Sequence, residues 1–392
     1  MNGRSRRWLA WRVAPLLLFV AACSFGRSVS NLLVNPGTPA AVKAARQDIE
    51  LTLFLIGDAG APAHDEPVLA ALARQAADAP SRRAIVYLGD NIYLRGLPDT
   101  NGIGRKESER RIDAQIAVAR QTKTQTYFIP GNHDWAYMGP DGWNAIRRQE
   151  SYIAAKGAPY AILLPSGGCP GPDAVNLSPN LQLVILDTQW WLHDYERPVD
   201  STSGCAYYTP GTVINALNRM LIRAGDRHSI VVGHHPLSSS GLHGGNIGWQ
   251  PHIFPLRALA KWMWIPLPVV GSYYALNRQQ GASDQDIAGP KNQRMRRALE
   301  LVFERRKPLV YASGHDHNLE VIKGKTARTL LVSGSGIFGH VSAVSARANT
   351  LFAAAQSGFM RLDITRDKRV RLGVITVDAE GRATEKYSAY LE

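Results

Sequence analysis

Five short polar clusters, each directly after a strand-like apolar run, constrain the fold of this chain more than any other feature. They are Gly57-Asp58-Ala59-Gly60, Gly89-Asp90-Asn91-Ile92-Tyr93, Gly131-Asn132-His133-Asp134, Gly233-His234-His235-Pro236 and Gly314-His315-Asp316-His317-Asn318. Short apolar runs at 51–56, 84–88, 126–129, 181–186, 230–232, 309–311, 329–332, 360–364 and 370–377 read as buried strands. Apolar residues at helical spacing predict helices at 67–79, 107–121, 213–223 and 292–305. Strands alternating with helices imply βαβ units and an α/β fold. Ligands in such sheets gather just beyond the carboxyl ends of the strands, and all five clusters sit there.

The clusters supply Asp58, Asp90, Tyr93, Asn132, His234, His315 and His317, a donor set that can hold two metal ions. In extended backbone residues i and i+2 share a face, so His315 and His317 can reach one site side by side. Ions in such pairs lie ~3.5–4 Å apart, so one histidine can serve each. A carboxylate between them can bridge, a role that suits Asp90. Asp58 would bind one ion terminally, and Asn132 and His234 the other. His235 is open between ligand and structural hydrogen bonding. Asp134, Asp316 and Asn91 read as supporting or turn residues. Arg95 and Trp135 are open between substrate contact and solvated surface.

The 392 residues suffice for one large α/β domain or two modest ones. Apolar and charged fractions of 45% and 20% describe a globular chain and exclude a disordered one. The net charge of +13 permits anionic partners. With no run of five basic residues and no aromatic-interleaved basic stripe, nucleic-acid binding is not expected.

Residues 1–22 read as a removable export signal, with Arg4, Arg6, Arg7 and Arg12 ahead of an apolar run that ends at Val20-Ala21-Ala22-Cys23. Arg6-Arg7 partly resembles a twin-arginine signal. The tetrapeptide resembles a bacterial lipobox, which implies a lipid on Cys23, a membrane-tethered protein of the bacterial cell envelope and a domain in the periplasm. Ser24 beside the cysteine favours the outer membrane by resemblance to bacterial sorting. The alternative is an ordinary cleavage site with an incidental cysteine. Residues 23–47 read as a tether, and 48–392 as the folded domain. Cys169 and Cys205 then remain, and in an oxidising compartment a disulfide between them would be worth roughly 3–4 kcal/mol; two free thiols are the alternative.

Two segments interrupt the alternation. Residues 136–180, rich in Gly and Pro, read mostly as loop. Residues 237–290 form an insertion carrying Trp249, Trp262, Trp264, Tyr273 and Tyr274. It could be a lid over the site, an interfacial patch beside a membrane, or an insertion packing its aromatics on the core.

The five clusters resemble those of the calcineurin-like metallophosphoesterases, and within them the purple acid phosphatase branch, over about residues 50–320. Gly60, where many relatives carry a metal-binding histidine, and Tyr93, where that branch places an iron-binding tyrosine, carry the closer resemblance, and 314–319 looks like the mammalian tartrate-resistant enzymes. The resemblance implies an αββα sandwich with the metal site at the strand ends. It implies that Asp58, Asp90, Tyr93 and His317 hold a first ion, and Asp90, Asn132, His234 and His315 a second. His133 matches the branch's outer-sphere catalytic histidine, and His243 resembles a phosphate-contacting histidine of the plant enzymes.

Two carboxylates and a phenolate suit Fe³⁺ with a divalent partner, Zn²⁺, Fe²⁺ or Mn²⁺. The implied reaction is hydrolysis of phosphate monoesters by attack of metal-activated hydroxide on phosphorus, with His133 protonating the leaving group. The substrate would be a phosphorylated small molecule or lipid. Two alternatives stand beside it: a phosphodiesterase, nucleotidase or lipid-headgroup phosphoesterase, and a non-catalytic envelope-binding lipoprotein with structural metals.

Overall fold

A computed structural model describes residues 33–34, 44–80, 82–258 and 262–391. The expected leader 1–22, Cys23 and most of the 23–47 tether lie outside the described residues.

Among the described residues fifteen strands form two sheets. The strands are β1 (Leu33–Val34), β2 (Ile49–Ile56), β3 (Arg83–Tyr87), β4 (Gln125–Phe128), β5 (Ala161–Leu163), β6 (Asp173–Ser178), β7 (Leu181–Ile185), β8 (His228–Val232), β9 (Val310–Ser313), β10 (Leu319–Lys323), β11 (Thr329–Ser333), β12 (Thr350–Ala354), β13 (Gly358–Thr365), β14 (Val370–Val377) and β15 (Ala383–Leu391). Their order is β15-β14-β13-β2-β3-β4-β5 in one sheet and β1-β12-β10-β11-β9-β8-β7-β6 in the other. Strands β2 to β5 run parallel, with Leu53 opposite Ala84 and Thr126 opposite Ala161. The other sheet has its own parallel group, β7-β8-β9-β11.

The helices are α1 (Pro67–Asp78), α2 (Arg105–Thr122), α3 (Gly142–Gly157), α4 (Gln189–Leu192), α5 (Pro210–Arg223), α6 (Trp249–Ile253), α7 (Pro268–Gln279) and α8 (Pro290–Arg305). Proline at the first position and a side-chain cap start α1 at Glu66, which accepts from the Val68 N–H. A reciprocal Thr209–Thr212 capping box starts α5 in the same way. Helix α5 buries Val213, Leu217 and Leu221, one stripe of a 3.6-residue repeat, each worth about 1.5–3 kcal/mol.

These elements stack as an αββα sandwich. Leu51, Leu53, Leu55 and Val86 of the first sheet meet Leu183, Ile230, Val310 and Val321 of the second in the central core. Helices α1, α2 and α3 cover the outer face of the seven-stranded sheet, and α5 and α8 that of the eight-stranded one. Burial on both faces explains why β2, β3 and β8 read as nearly continuous apolar runs.

Within 136–180 the loop expectation fails over α3, β5 and β6. Helix α3 buries Ala145, Ile146, Gln149 and Ile153 at helical spacing, and two buried polar or small residues in that stripe weaken its apolar signal. Of the glycines and prolines read as loop, Gly139 and Pro140 precede the helix, and Gly168, Pro170 and Pro172 lie between β5 and β6. Cys169 and Cys205 form a disulfide that ties the stretch before β6 to the one before α5.

The 237–290 insertion carries α6 and α7, and its described residues contribute no strand to either sheet. Its aromatics do not pack on the core: Trp249, Trp262, Trp264 and Tyr273 are all exposed. Among the described residues no helix is long and apolar enough to cross a membrane.

Candidate metal centre

Each polar cluster directly follows a parallel strand: β2, β3 and β4 in one sheet, β8 and β9 in the other. The seven candidate donors therefore come from both sheets and meet above the seam between them. Asp58, Asp90 and His315 all have positive φ, at 58°, 52° and 71°. Left-handed backbone is costly for residues with a Cβ and persists where surroundings enforce it, commonly at functional sites. Glycine makes the approach possible. A Cβ on Gly131 would stand 2.3 Å from both the backbone nitrogen and Oδ1 of Asp90, and one on Gly89, whose φ is +91°, 2.5 Å from His234 Nδ1.

The donors form two triangles. In the first, Asp58 Oδ1 is 3.1 Å from the Tyr93 hydroxyl and 3.3 Å from His317 Nε2, and the hydroxyl is 3.1 Å from that nitrogen. In the second, Asn132 Oδ1 lies 3.0 Å from His234 Nε2 and 3.1 Å from His315 Nδ1, which are themselves 3.1 Å apart. Ligands bound at ~2.0–2.1 Å stand roughly 2.9–3.4 Å from one another around a single ion, so both triangles match faces of a coordination shell. Asp90 Oδ1 is 3.5 Å from His234 Nε2, and donor atoms of Asp58, Asp90 and His234 all lie within 4.8 Å of one another. Asp90 thus stands where a bridging carboxylate would.

Proton accounting tests the fit. His234 donates Nδ1–H to the Leu88 carbonyl at 2.8 Å, and His315 donates Nε2–H to the Gln285 carbonyl at 2.9 Å. A carbonyl only accepts, so both tautomers are set. The facing nitrogens, His234 Nε2 and His315 Nδ1, then present lone pairs to each other and to Asn132 Oδ1. Three converging acceptors need a cation or an extra proton. Burial pulls His234 down, but Asp90 and Asp58 outweigh it and hold its pKa above the ordinary value. His315, buried beside His243, His235 and His234, is pushed well below its own.

In the first triangle burial raises Asp58, but its hydrogen bond with His317 and the charges of His317 and His234 leave it lowered. Burial lowers His317, and its bond to Asp58 reverses the direction. Burial, then Asp58 and Asp90, push the Tyr93 phenol well above its usual range. These residues fit metal ions: without a cation, protons must hold the carboxylates and imidazoles together.

His133 lies at the edge of this centre. Its backbone N–H donates to Asp90 Oδ1 at 2.9 Å, its Nδ1 meets the Leu94 carbonyl at 2.7 Å, and Nε2 is 3.8 Å from Asp90 Oδ2. His243 stacks on His315 with ring centroids 3.9 Å apart, and its Nδ1 pairs with Asp286 Oδ1 at 2.8 Å. His235 spends Nδ1 on Thr188 and Nε2 on Gln285, each at 2.8 Å, so it supports the site and has no nitrogen left for an ion. Asp134 accepts from the backbone of Asn91, Ile92 and Gly131, lashing the loops after β3 and β4 together. Asp316 accepts the His243 N–H. Trp135 is buried and donates to Asp187, while Arg95 is exposed.

A cleft of about 430 Å³ opens onto Asp90, Asn132, His315 and His317. Its walls include His133, Tyr137, His243, Tyr274 and Arg278. Arg278 pairs with Asp286, with Nε 2.9 Å from Oδ2. Burial opposes the charge on Asp286, yet His243 and Arg278 keep it ionised below the ordinary carboxylate range. Sequence reasoning missed Arg278, Gln285, Asp286 and His340, whose ring lies 4.0 Å from that of His317. The first three follow no strand, so the strand-end rule that found the other donors is silent on them.

No family model and no curated protein matches this chain. Among solved structures it is similar to a chain described as GAP50, the anchor in the inner membrane complex of Plasmodium, with a TM-score of 0.50 and 17% identity over 88% of this chain and 89% of that one. At that identity the likeness concerns the fold, which is the expected α/β sandwich. It also corrects one expectation. The chain is not assigned to the purple acid phosphatase branch: the similar structure is described as an anchor, and no family model supports the assignment. The resemblance rested on short motifs at strand ends, which one fold can share among proteins of different function.

Proposed function

We propose that this chain is a phosphoesterase that hydrolyses phosphate monoesters with two metal ions. The observation that carries the reading is the pair of donor triangles with Asp90 between them, open to one cleft. Asp58, Tyr93 and His317 would hold one ion, Asn132, His234 and His315 the other, and Asp90 would serve both. Such ions lower the pKa of water and neutralise charge on the transferring phosphoryl group. The oxygen- and phenol-containing triangle suits Fe³⁺, and the nitrogen-rich one Zn²⁺, Fe²⁺ or Mn²⁺. A visible tyrosinate–iron band would report Fe³⁺ at Tyr93 directly.

The chain's own groups do the remaining work. Hydrolysis adds the oxygen of water to phosphorus and its proton to the departing alcohol. His133, oriented through Nδ1 by the Leu94 carbonyl, turns Nε2 toward the cleft and, when protonated, delivers that proton. Asp286 holds His243 and the Arg278 guanidinium on the cleft wall, where they meet phosphate oxygens.

The test is elemental analysis with turnover of p-nitrophenyl phosphate and its bis ester. His133→Ala should retain both metals and lose roughly 10²–10⁴-fold in turnover. Asp90→Asn should lose metal and turnover together. Dominant cleavage of the bis ester would instead favour the diesterase reading. A metal-loaded wild type inert toward both esters would sink the enzyme reading.

That outcome would favour a second reading, a membrane-associated binding protein with structural metals. It is supported by the role printed for the similar anchor structure and by the exposed apolar insertion. Both readings include association with a membrane, through the lipid expected at Cys23.

A further inference from the structure

We propose that the exposed face of α6, α7 and the described residues 254–257 and 262–267 between them is a docking surface for an anionic lipid bilayer, and that it sets the metal cleft against the headgroups. Helix α7 has two distinct faces. Gly271 and Ala275 turn inward, with Gly271 so close to α6 that a Cβ would stand 2.3 Å from the His252 carbonyl oxygen. Val269, Val270, Tyr273 and Leu276 turn outward, at spacings that share one helix face, with Val269 81% and Tyr273 71% exposed. Trp262 adds 77% exposure, and Trp249, Trp264 and Ile265 are also open.

This unit is ordered by its own contacts. Phe254 packs edge-on against Trp249 and Trp264, with ring centroids 6.4 and 5.3 Å apart, and the Leu267 N–H donates to the Ile253 carbonyl at 2.7 Å. A patch this apolar on a rigid support marks an interaction surface.

Charge and composition choose the occupant. Between Asp226 and Asp284 the chain contains no Asp or Glu, while Arg257 and Lys261 add positive charge to the stretch that carries the tryptophans. The Arg257 guanidinium lies 3.6 Å over the Trp264 ring. Tryptophan and tyrosine with basic neighbours and no acid suit the headgroup layer of an anionic membrane, where amphipathic rings bury their apolar part and keep polar edges wet. Helix α7 also contributes Tyr274, Asn277 and Arg278 to the cleft wall, so docking through its outer face turns the cleft toward lipid.

Bromolipid quenching tests this. The full chain is reconstituted in vesicles of phosphatidylcholine and phosphatidylglycerol, three to one, with bromine on the acyl chains, and tryptophan fluorescence is compared with unbrominated vesicles. The wild type should be quenched. W249F/W262F/W264F should lose at least half of the quenched signal because the reporting rings are gone. V269D/Y273D keeps every tryptophan and should lose a similar share because docking fails. Unchanged quenching in either variant overturns the proposal. So does a wild type that dimerises in detergent solution through this face, with V269D/Y273D monomeric and no quenching in vesicles. A further arm rests on the phosphoesterase reading. V269D/Y273D should lose at least fivefold in hydrolysis of a phosphorylated lipid in these vesicles and keep its p-nitrophenyl phosphate rate. An unchanged lipid rate overturns the orientation of the cleft, whereas a wild type inert on both substrates but quenched by bromolipid sinks the phosphoesterase reading alone.

Discussion

Asp134 shows how much of the centre depends on a residue that touches no ion. Its carboxylate accepts the backbone N–H groups of Gly131, Asn91 and Ile92, so truncation strands three buried backbone donors. Asp134→Ala should destabilise the protein by at least about 2 kcal/mol, read as a lower unfolding midpoint in urea. Glu320 makes a pH prediction. Burial and the charge of Asp316 push it up to about 7, against bonds from Ser239 and Ser240 that lower it. The native state therefore keeps a proton that the unfolded chain releases near its ordinary value of 4.5. Stability from this group is complete below that value and is lost as pH rises through about 7. Glu320→Gln should flatten that part of the urea-stability profile, and an unchanged slope would show that Glu320 does not titrate there. At this scale the donors were legible because ligand chemistry restricts residue type and strand ends restrict place. Arg278, Asp286 and His340 were not, since their positions depend on how an insertion and a late loop fold back.

At the scale of elements, the central strands and the helices at 67–78, 105–122, 210–223 and 290–305 were readable from apolar periodicity. Short edge strands such as β5 and the outward-facing β15 were not, because partial exposure erases the apolar run. Helix α3 was hidden by the turn residues that flank it. The disulfide between Cys169 and Cys205 pins the loop-rich approach to β6 against the one to α5. Cys205→Ser should lower stability by roughly 3 kcal/mol under non-reducing conditions and leave turnover intact, because neither cysteine reaches the cleft. Equal melting of variant and wild type would show that packing alone holds these loops.

Across the whole molecule the centre acts as a clasp, since its donors come from loops of both sheets. Chelation should therefore lower the thermal midpoint by several degrees, and added Zn²⁺ or Fe²⁺ should restore it, because ions that bind only the folded state stabilise it. A midpoint insensitive to chelator would mean that the core alone joins the halves. The layered architecture followed from alternating strands and helices, but family membership did not, because motifs at strand ends specify a ligand geometry and leave most of the chain undetermined.

Strand β2, which leads into Asp58, has β3 on one side and β13 on the other. Its second neighbour is made of residues 358–365, translated long after β2 itself. Until they emerge, an apolar edge waits unpaired, an invitation to sticking between nascent chains. A premature stop near residue 357 should therefore yield insoluble product even though every candidate ligand has already been translated.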